Sequence, residues 1–493
     1  MSPDGLEALV ELIITPGIEN WRQRAETAFA ALFGSQGGRY PEHARRELAL
    51  RAPEMRDGVP FAALIHKSNP SSGPYGGLSF VVFPVEGDPA LFGLVVGTNG
   101  LAPDEGILGR PGHARKVQAI CAWLRRREAG RFCAWAKQDP TRLDLDIPQE
   151  VRKQFPQYKA VFDRYGKVIY GFYVPGTGAG HRYLVRDAAA AFLDLHFRER
   201  GVETLKSFQQ DASRIQKEWS RQLLPAVDEK QIARILERYR FVILQGPPGT
   251  GKTRIARELL RGAYGGFGRS IQFHANTSYE HFLGGLAPLT SGDPLGFRFA
   301  PARGLLMEAA AEALACPGRP YLLHVDEINR ADLAKVLGEA IFLLELEPEY
   351  HREIELPYDF GPPFGRRFWL PPNLRILGTM NSADRSIALV DIAIRRRFHF
   401  VNVWPRLDVV EEHASELAIE AYRKLLDIFV EHASEDAFCL LPGHAYFLVK
   451  DEARTAEALQ LGLAPLLEEY LAQGYVTGFA EEIRAYLQWL RTL

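Results

Sequence analysis

The second half of the chain alternates short apolar runs with amphipathic stretches, a pattern typical of an α/β fold. Phe241 to Leu244 and Tyr321 to Val325 are the clearest apolar runs, and each is followed by polar residues and a helical repeat. Parallel strands need a long crossover between them, and a helix is the usual connection. We therefore predict an α/β domain that begins near residue 222.

The first 215 residues have another pattern, in which amphipathic helices are mixed with strands that glycine and proline interrupt. Residues 79–87 and 91–100 are apolar runs on either side of an Asp-Pro turn, which predicts a β-hairpin. The next stretch repeats its apolar residues at helical spacing and predicts a helix with one buried face. We expect an α+β domain at 1–215, followed by a polar, helix-favouring connection that Pro225 interrupts.

The composition narrows the class of protein. A chain of 493 residues exceeds what one hydrophobic core supports, so size alone predicts two or three domains. The net charge of -2 predicts no general attraction to nucleic acid or acidic membranes. No basic and apolar leader opens the chain, and no run of about 20 apolar residues follows, so we expect a cytoplasmic protein without membrane contact. Four cysteines without disulfide or zinc spacing are interpreted as reduced core residues: Cys121, Cys133, Cys316 and Cys439.

One segment of the first half is locally basic. Between Arg115 and Lys167 there are thirteen lysines and arginines against six acidic residues, an excess that the neutral total hides. Four aromatic residues interleave with these charges: Trp123, Trp135, Phe155 and Tyr158. Such a segment could bind DNA through phosphate contacts and stacking surfaces. The alternative is a solvated basic face above aromatic residues that belong to the core.

The strongest local motif is a phosphate-binding loop. The sequence GPPGTGKT fits the pattern GxxxxGK[ST], and it lies between a predicted strand and a predicted helix, as that motif requires. Its glycines allow backbone N–H groups to surround an anion at the positive end of the helix. We expect the lysine to bind the β and γ phosphates and the threonine to bind Mg²⁺. The predicted nucleotide-binding residues are Gly246, Pro247, Pro248, Gly249, Thr250, Gly251, Lys252 and Thr253.

Two acidic residues end the second apolar strand. Asp326 and Glu327 follow Val325 directly, and an acid at the end of a strand beside a phosphate loop can hold Mg²⁺. A second carboxylate there can polarise the attacking water. We therefore predict Asp326 as a metal residue, together with Thr253, and Glu327 as the catalytic base. The alternative is that both acids only cap the following helix.

These motifs together resemble a known family. GPPGTGKT, VDEINRADLAKVLGE, TMNSADRS and VDIAIRRRF, in this order, are similar to the AAA+ ring ATPases of the McrB type, the motor subunits of modification-dependent restriction systems. The resemblance covers about residues 222–493. It implies an AAA+ α/β P-loop domain at 222–405 and a C-terminal helical lid at 406–493, preceded by the α+β domain as an N-terminal recognition domain. A Pro/Gly-rich insertion between Glu345 and Leu374 is interpreted as a further β-hairpin.

The resemblance also assigns roles to residues. Asn381 would be a polar sensor that orients the lytic water together with Glu327. Two residues of the same signature, Asp384 and Arg385, would contact the nucleotide. Two arginines, Arg396 and Arg397, would reach the nucleotide of the adjacent subunit, where a guanidinium meets the developing negative charge. The alternative for these arginines is a solvated basic helix end.

The partners are implied in the same way. The resemblance implies Mg²⁺ as cofactor, GTP or ATP as substrate, a homo-hexameric ring and a separate McrC-like nuclease subunit, because no nuclease motif is found in the chain. The N-terminal domain would bind DNA that is modified or foreign, in anti-phage defence. A second hypothesis is a remodelling ATPase whose N-terminal domain binds a protein partner and no DNA.

Overall fold

The computed structural model divides the chain into two compact units. It describes residues 5–34, 37–53, 58–177, 179–290, 297–345, 352–382 and 391–493. The first unit comprises Met1–Pro225 with Ile428–Ser434, and the second comprises Ala226–Asp427 with Glu435–Leu493. Each unit has its own hydrophobic core, as the length of the chain predicts.

The first unit is built on a six-stranded antiparallel sheet with the strand order β1-β2-β3-β4-β6-β5. Its strands are β1 (Leu48–Arg51), β2 (Ala62–His66), β3 (Leu78–Phe83), β4 (Leu91–Val96), β5 (Ala134–Ala136) and β6 (Ile169–Tyr173). Leu78 lies opposite Val96 and Phe83 opposite Leu91, so the predicted hairpin is confirmed. Strand β1 is an edge of this sheet.

Helices cover both faces of this sheet. They are α1 (Glu7–Ile14), α2 (Trp21–Ala30), α3 (Glu105–Leu108), α4 (Pro111–Arg127), α5 (Gln149–Lys153), α6 (Lys159–Tyr165), α7 (Arg182–Arg198) and α8 (Gln209–Ser220). Successive side chains of a strand point to opposite faces, so Phe80 joins the core on one side and Val81 the core on the other. The predicted α+β fold and the predicted helix after the hairpin are both confirmed.

The second unit contains a five-stranded parallel sheet with the order β15-β7-β14-β11-β8. The strands of this unit are β7 (Phe241–Gly246), β8 (Gly268–Gln272), β9 (Gly284–Thr290), β10 (Phe297–Arg303), β11 (Tyr321–Asp326), β12 (Ile354–Glu355), β13 (Arg367–Phe368), β14 (Leu374–Asn381) and β15 (His399–Asn402). The central strands are continuous apolar runs because both faces of a parallel sheet are covered. The predicted α/β class is confirmed.

Helices surround this sheet and form most of the C-terminal part. They are α9 (Glu229–Tyr239), α10 (Lys252–Arg261), α11 (Tyr279–Phe282), α12 (Leu305–Ala315), α13 (Leu333–Leu337), α14 (Ile392–Arg395), α15 (Leu407–His413), α16 (Glu416–His432), α17 (Glu435–Phe438), α18 (Glu452–Ala458), α19 (Ala464–Ala472) and α20 (Ala480–Thr492). From α15 onward the described residues contain helices and no strand, which agrees with a helical lid. In the described part of the chain, no helix is both long and apolar enough to cross a membrane.

Two β-hairpins extend from the second unit. Strands β12 and β13 pair with Ile354 opposite Phe368, which confirms the hairpin predicted in the insertion. Strands β9 and β10 form a longer hairpin that the sequence did not indicate. Apolar and polar residues do not alternate regularly along these two strands. Leu286, Leu289 and Phe299 are exposed, so the usual pattern of one buried face is missing.

The cysteines are free thiols in two environments. Cys121 and Cys133 are buried, and burial raises the pKa of each thiol to about 12, so both are inert core residues. Cys316 is exposed and Cys439 is half-buried. The interpretation of all four cysteines as core residues is therefore wrong for Cys316.

Candidate nucleotide-binding and catalytic site

The phosphate loop connects the end of β7 to the start of α10. Gly249 and Gly251 have positive φ angles of 78° and 82°, which glycine adopts without strain. A Cβ atom at Gly246 would lie 2.2 Å from the carbonyl oxygen of Val403, so this position accepts only glycine. The motif residues therefore form a tight loop at the N-terminus of a helix, where anions bind.

Lys252 places a buried positive charge inside this loop. Its side chain is 6% exposed, and its Nζ donates to the carbonyl oxygens of Gly246 at 2.9 Å and Pro247 at 2.6 Å. Both acceptors belong to the loop itself. A phosphate oxygen is a stronger acceptor than a neutral carbonyl, so the ammonium can exchange these bonds for bonds to a nucleotide.

Two threonine hydroxyls hold the carboxylate of Asp326. The Oγ1 of Thr253 donates to Asp326 Oδ1 at 2.8 Å, and the Oγ1 of Thr379 donates to the same oxygen. Sequence reasoning missed Thr379. Strand β14 runs parallel to β11 with Gly378 opposite Val325, so the next residues, Thr379 and Asp326, lie side by side, and the sequence alone gives no signal of this pairing.

Glu327 lies in a different environment from Asp326. It is a non-glycine residue with a positive φ of 52°, a strained conformation of the kind found at functional sites. Its carboxylate accepts a hydrogen bond from Asn381 Nδ2 at 3.3 Å and another from Arg330 Nε at 2.9 Å. The predicted base and the predicted sensor are therefore in direct contact. One acid is held by hydroxyls and the other by an amide and a guanidinium.

Strand pairing brings the sensor to the phosphate loop. Asn381 is the register partner of Gly246, and the backbone N–H of Ser382 donates to the Gly246 carbonyl at 3.0 Å. The end of β14 is thus bonded to the first residue of the loop. Asp384 and Arg385, the other residues predicted from this signature, lie outside the described residues.

A segment of the lid packs directly on the loop. The backbone N–H groups of Gly443 and Ala445 donate to the carbonyl oxygens of Pro248 and Gly249, each at 3.0 Å. His444 lies between these two donors and is 9% exposed, and burial lowers its pKa from 6.5 to about 4. This histidine is therefore neutral at pH 7. Motion of this lid segment would be transmitted to the loop backbone.

A buried histidine lies beneath the acidic pair and was also missed. His324 is fully buried in β11, and its Nδ1 is 2.7 Å from Ser270 Oγ in the neighbouring strand. Its Nε2 is 4.0 Å from Asp326 Oδ1, too far for a hydrogen bond. Burial lowers the pKa of His324 to about 4, so it contributes no charge at neutral pH.

The two predicted arginine fingers have opposite environments. Arg396 is exposed, and its side chain has no hydrogen bond or ion pair to any other described residue. Arg397 is only 8% exposed; it donates to the Ala393 carbonyl at 2.9 Å and forms an ion pair with Glu345 at 3.0 Å. In this single chain the Arg397 guanidinium is engaged within its own subunit, so the role in trans predicted for Arg397 and Arg396 stays a prediction.

The basic segment of the first unit also differs from expectation. Trp123, Phe155 and Tyr158 are at most 4% exposed and belong to the hydrophobic cores, so they are not stacking platforms. Only Trp135 is half-buried. Lys137 is buried too, and its Nζ donates to three backbone carbonyl oxygens. The prediction of stacking is therefore wrong for Trp123, Phe155 and Tyr158, because these three side chains pack inside the cores.

The oxygen atoms at Asp326 suit a magnesium ion. Mg²⁺ prefers oxygen ligands and usually takes one or two from the protein, with the others from water and phosphate. Thr253 and Asp326 supply a hydroxyl and a carboxylate oxygen 2.8 Å apart. No cluster of three or more His, Cys, Asp or Glu side chains suited to a metal occurs among the described residues. These two residues would therefore hold the ion only together with a nucleotide.

Comparison with known proteins agrees with this geometry. The model of the family "AAA domain (dynein-related subfamily)" matches residues 241–398. The EcoKMcrB subunit of a type IV methyl-directed restriction enzyme from Escherichia coli is 34% identical over 272 residues, which cover 50% of this chain and 57% of that protein. Component YdiS of the type II restriction enzyme BsuMI from Bacillus subtilis is 26% identical over 221 residues, covering 38% and 59%. The chain thus spans less than two thirds of either relative.

Solved structures add only a loose likeness. The match to the structure of NtrX from Brucella abortus covers 71% of this chain and 85% of the NtrX chain, at 14% identity and a TM-score of 0.23. This similarity is too low to support a conclusion. The family match at residues 241–398 includes the phosphate loop, the acidic pair and Asn381. The chain therefore carries an AAA domain at residues 241–398, a domain typical of nucleoside triphosphatases, and half of its length is similar to the McrB subunit.

Proposed function

We propose that this protein hydrolyses GTP or ATP with Mg²⁺ at a site formed between neighbouring subunits of a homo-hexameric ring. Mg²⁺, held by Thr253 and Asp326, would neutralise charge on the phosphate oxygens. Lys252 would leave the loop carbonyls and bind the β and γ phosphates. Each of these groups stabilises the negative charge that develops during phosphoryl transfer.

The observation that carries the proposal is the contact between Glu327 and Asn381. A general base must be oriented toward the water whose proton it accepts. The Asn381 amide fixes one carboxylate oxygen of Glu327, and Arg330 holds the other. Asp326 is engaged with hydroxyl groups instead, so the two acids divide the metal and base roles.

We assign the trans contact to Arg396 alone. Its guanidinium is exposed and free of partners among the described residues, as a group that reaches another subunit must be. A guanidinium supplied by a neighbour makes hydrolysis depend on assembly. Arg397 would instead brace the helix that presents Arg396, since it is bonded to Ala393 within α14 and to Glu345.

Mixed rings test the shared site. Arg396→Ala subunits retain a phosphate loop, and Lys252→Ala subunits retain the finger, so each is inactive alone. Mixing them creates interfaces with one intact loop and one intact arginine, and we expect hydrolysis to reappear. No recovery at any mixing ratio, with ring assembly verified by light scattering, would exclude a shared site.

At the level of the whole protein, we propose a motor of a restriction system that works with a McrC-like nuclease subunit, with the N-terminal unit binding modified or foreign DNA. The support is the similarity to subunits of two restriction enzymes. The test is binding of the full chain to methylated and unmethylated duplexes at several salt concentrations. Phosphate contacts predict affinity that falls steeply with salt. Absence of binding at low salt would contradict DNA recognition by this chain.

The second candidate is a remodelling ATPase whose N-terminal unit binds a protein. Unlike the DNA proposal, it has a specific structural feature in its favour, a groove along the sheet edge of the first unit. Hydrolysis would then be stimulated by the protein partner and not by DNA. Measuring turnover with each added separately distinguishes the two.

A further inference from the structure

An open cavity of about 990 Å³ follows the edge strand of the first unit. Six consecutive residues, Leu48 to Pro53, line it, so the cavity runs along β1 and just beyond its end. Side chains of α2 lie on one side of the strand, and Phe61 and Tyr165 lie on the other. The cavity is therefore a groove that exposes a strand edge. We call it the edge groove.

The backbone of β1 presents unpaired hydrogen-bonding groups to this groove. The N–H of Lys67 donates to the Glu47 carbonyl at 2.9 Å, which makes these two residues a hydrogen-bonded pair of the antiparallel ladder. Such pairs alternate along the strands, so Leu48, Leu50 and Ala52 point their N–H and C=O groups away from β2. No backbone partner on that outer side is found among the described residues. The groove thus offers donors and acceptors at two-residue spacing.

The groove is also basic. Six cationic side chains line it against two carboxylates, Glu26 and Glu42, which pair with Arg22 and Arg45. The other four cations have no carboxylate partner among the described residues: Arg46, Arg51, Lys67 and Arg164. The Nη1 atom of Arg51 is buried and has no hydrogen-bond partner among the described residues.

We propose that the edge groove binds an extended acidic segment of a partner protein, which adds to the sheet as a strand beside β1. Backbone groups of the segment pair with Leu48, Leu50 and Ala52, as in other cases of strand addition. Its carboxylates bind the four cations that lack a carboxylate partner in the described part of the chain, and Arg does so with two parallel hydrogen bonds. This site is separate from the nucleoside triphosphatase site and does not depend on hydrolysis.

A nucleic acid fits the same groove less well. The outward carbonyl groups of β1 need donors, and a phosphodiester backbone has none. Phe61 and Tyr165 pack edge to face at 5.9 Å, so their rings are engaged with each other and not presented as stacking surfaces.

The test uses the full chain and a fluorescein-labelled heptapeptide of alternating valine and glutamate, with binding measured by anisotropy. We expect the double variant Arg46→Glu/Arg164→Glu to weaken binding by roughly tenfold or more, because two charge-assisted contacts are lost. The matched control is Arg126→Glu, an exposed arginine of α4 outside the groove, which should change affinity by less than about twofold. Unchanged far-UV circular dichroism and an unchanged thermal unfolding midpoint show that the variants fold.

A second peptide tests strand addition itself. Methylating alternate backbone amides of the heptapeptide keeps its charges and removes its donors to β1, so binding should again fall by roughly tenfold. Equal binding of both peptides, or no effect of the double reversal, or no peptide binding by the wild type, would overturn the proposal. Tighter binding of a single-stranded oligothymidylate, lost in the same double variant, would assign the groove to nucleic acid. If the double variant still binds DNA, the proposal of DNA recognition stands even when the proposed peptide site is refuted. The two proposals can therefore fail separately.

Discussion

Replacing Arg397 and Arg396 separately by alanine distinguishes a structural arginine from a catalytic one. The two are adjacent in sequence and belong to one basic triplet, yet only Arg397 is buried and paired. We expect Arg397→Ala to lower stability with little loss of intrinsic hydrolysis. Arg396→Ala should leave stability unchanged and abolish turnover.

The expected magnitude follows from the ion pair with Glu345. Removing one partner of a buried pair costs about 3–5 kcal/mol when the other charge is left uncompensated. The Glu345 side chain is 29% exposed and also contacts Arg352, so part of its charge stays compensated. We therefore expect about 2 kcal/mol for Arg397→Ala. In a domain of this size, that is a fall in Tm of about 5 °C.

Thermal unfolding and turnover at low temperature measure the two effects. A double-mutant cycle with Glu345→Gln checks the cause, since the cost of Arg397→Ala should shrink once the carboxylate is removed. Rescue by Lys252→Ala subunits provides the functional control. If Arg397→Ala unfolds like the wild type, loses hydrolysis and is rescued by Lys252→Ala subunits, then Arg397 is the finger and the reasoning from burial is refuted.

Three further outcomes are expected. Glu327→Gln should retain nucleotide binding and slow hydrolysis by roughly 10²–10⁴-fold, as filter binding and phosphate release would measure; full turnover would remove Glu327 as the base. Thr253→Ala should raise the Mg²⁺ concentration needed for half-maximal hydrolysis, whereas Thr253→Ser should not; equal titrations would contradict a metal role. Because the pKa of His444 is about 4 when folded and 6.5 when unfolded, the unfolded chain binds the extra proton. The free energy of unfolding should therefore fall between pH 6.5 and pH 4 by up to about 1.4 kcal/mol per pH unit. In urea titrations His444→Gln should reduce this slope by the contribution of His444, while buried histidines such as His324 keep theirs; an unchanged slope would argue against a contribution from His444.

Much of the site was predictable because its residues lie at or directly after the ends of strands. A strand, a glycine loop and a helix are local in sequence, so the phosphate loop was recognised directly. Asp326 and Asn381 each end a strand, and parallel strands place their carboxyl ends at one edge of the sheet. Thr379 was missed because it is an ordinary strand residue until the register of β14 against β11 is known.

Other features depended on contacts between residues distant in sequence. The three consecutive arginines cannot be distinguished in the sequence. Only the ion pair with Glu345, 52 residues before Arg397, shows that Arg397 is buried while Arg396 is exposed. The aromatic residues of the basic segment looked accessible because charges surround them in sequence. In the fold, the helical period turns Trp123 inward, and packing in the core on the other face of the sheet buries Phe155.

By itself the sequence determined the α/β class of the second unit, the phosphate loop, the acidic pair and the resemblance to McrB-type ATPases, since each rests on local spacing. Only the tertiary structure decided which hydroxyls hold Asp326, which arginine is free and how the lid segment at His444 meets the loop. It alone revealed the edge groove, because an open strand edge exists only once the order of strands in a sheet is set. Local propensity and spacing act within a few residues, whereas register, burial and charge pairing arise when distant segments pack.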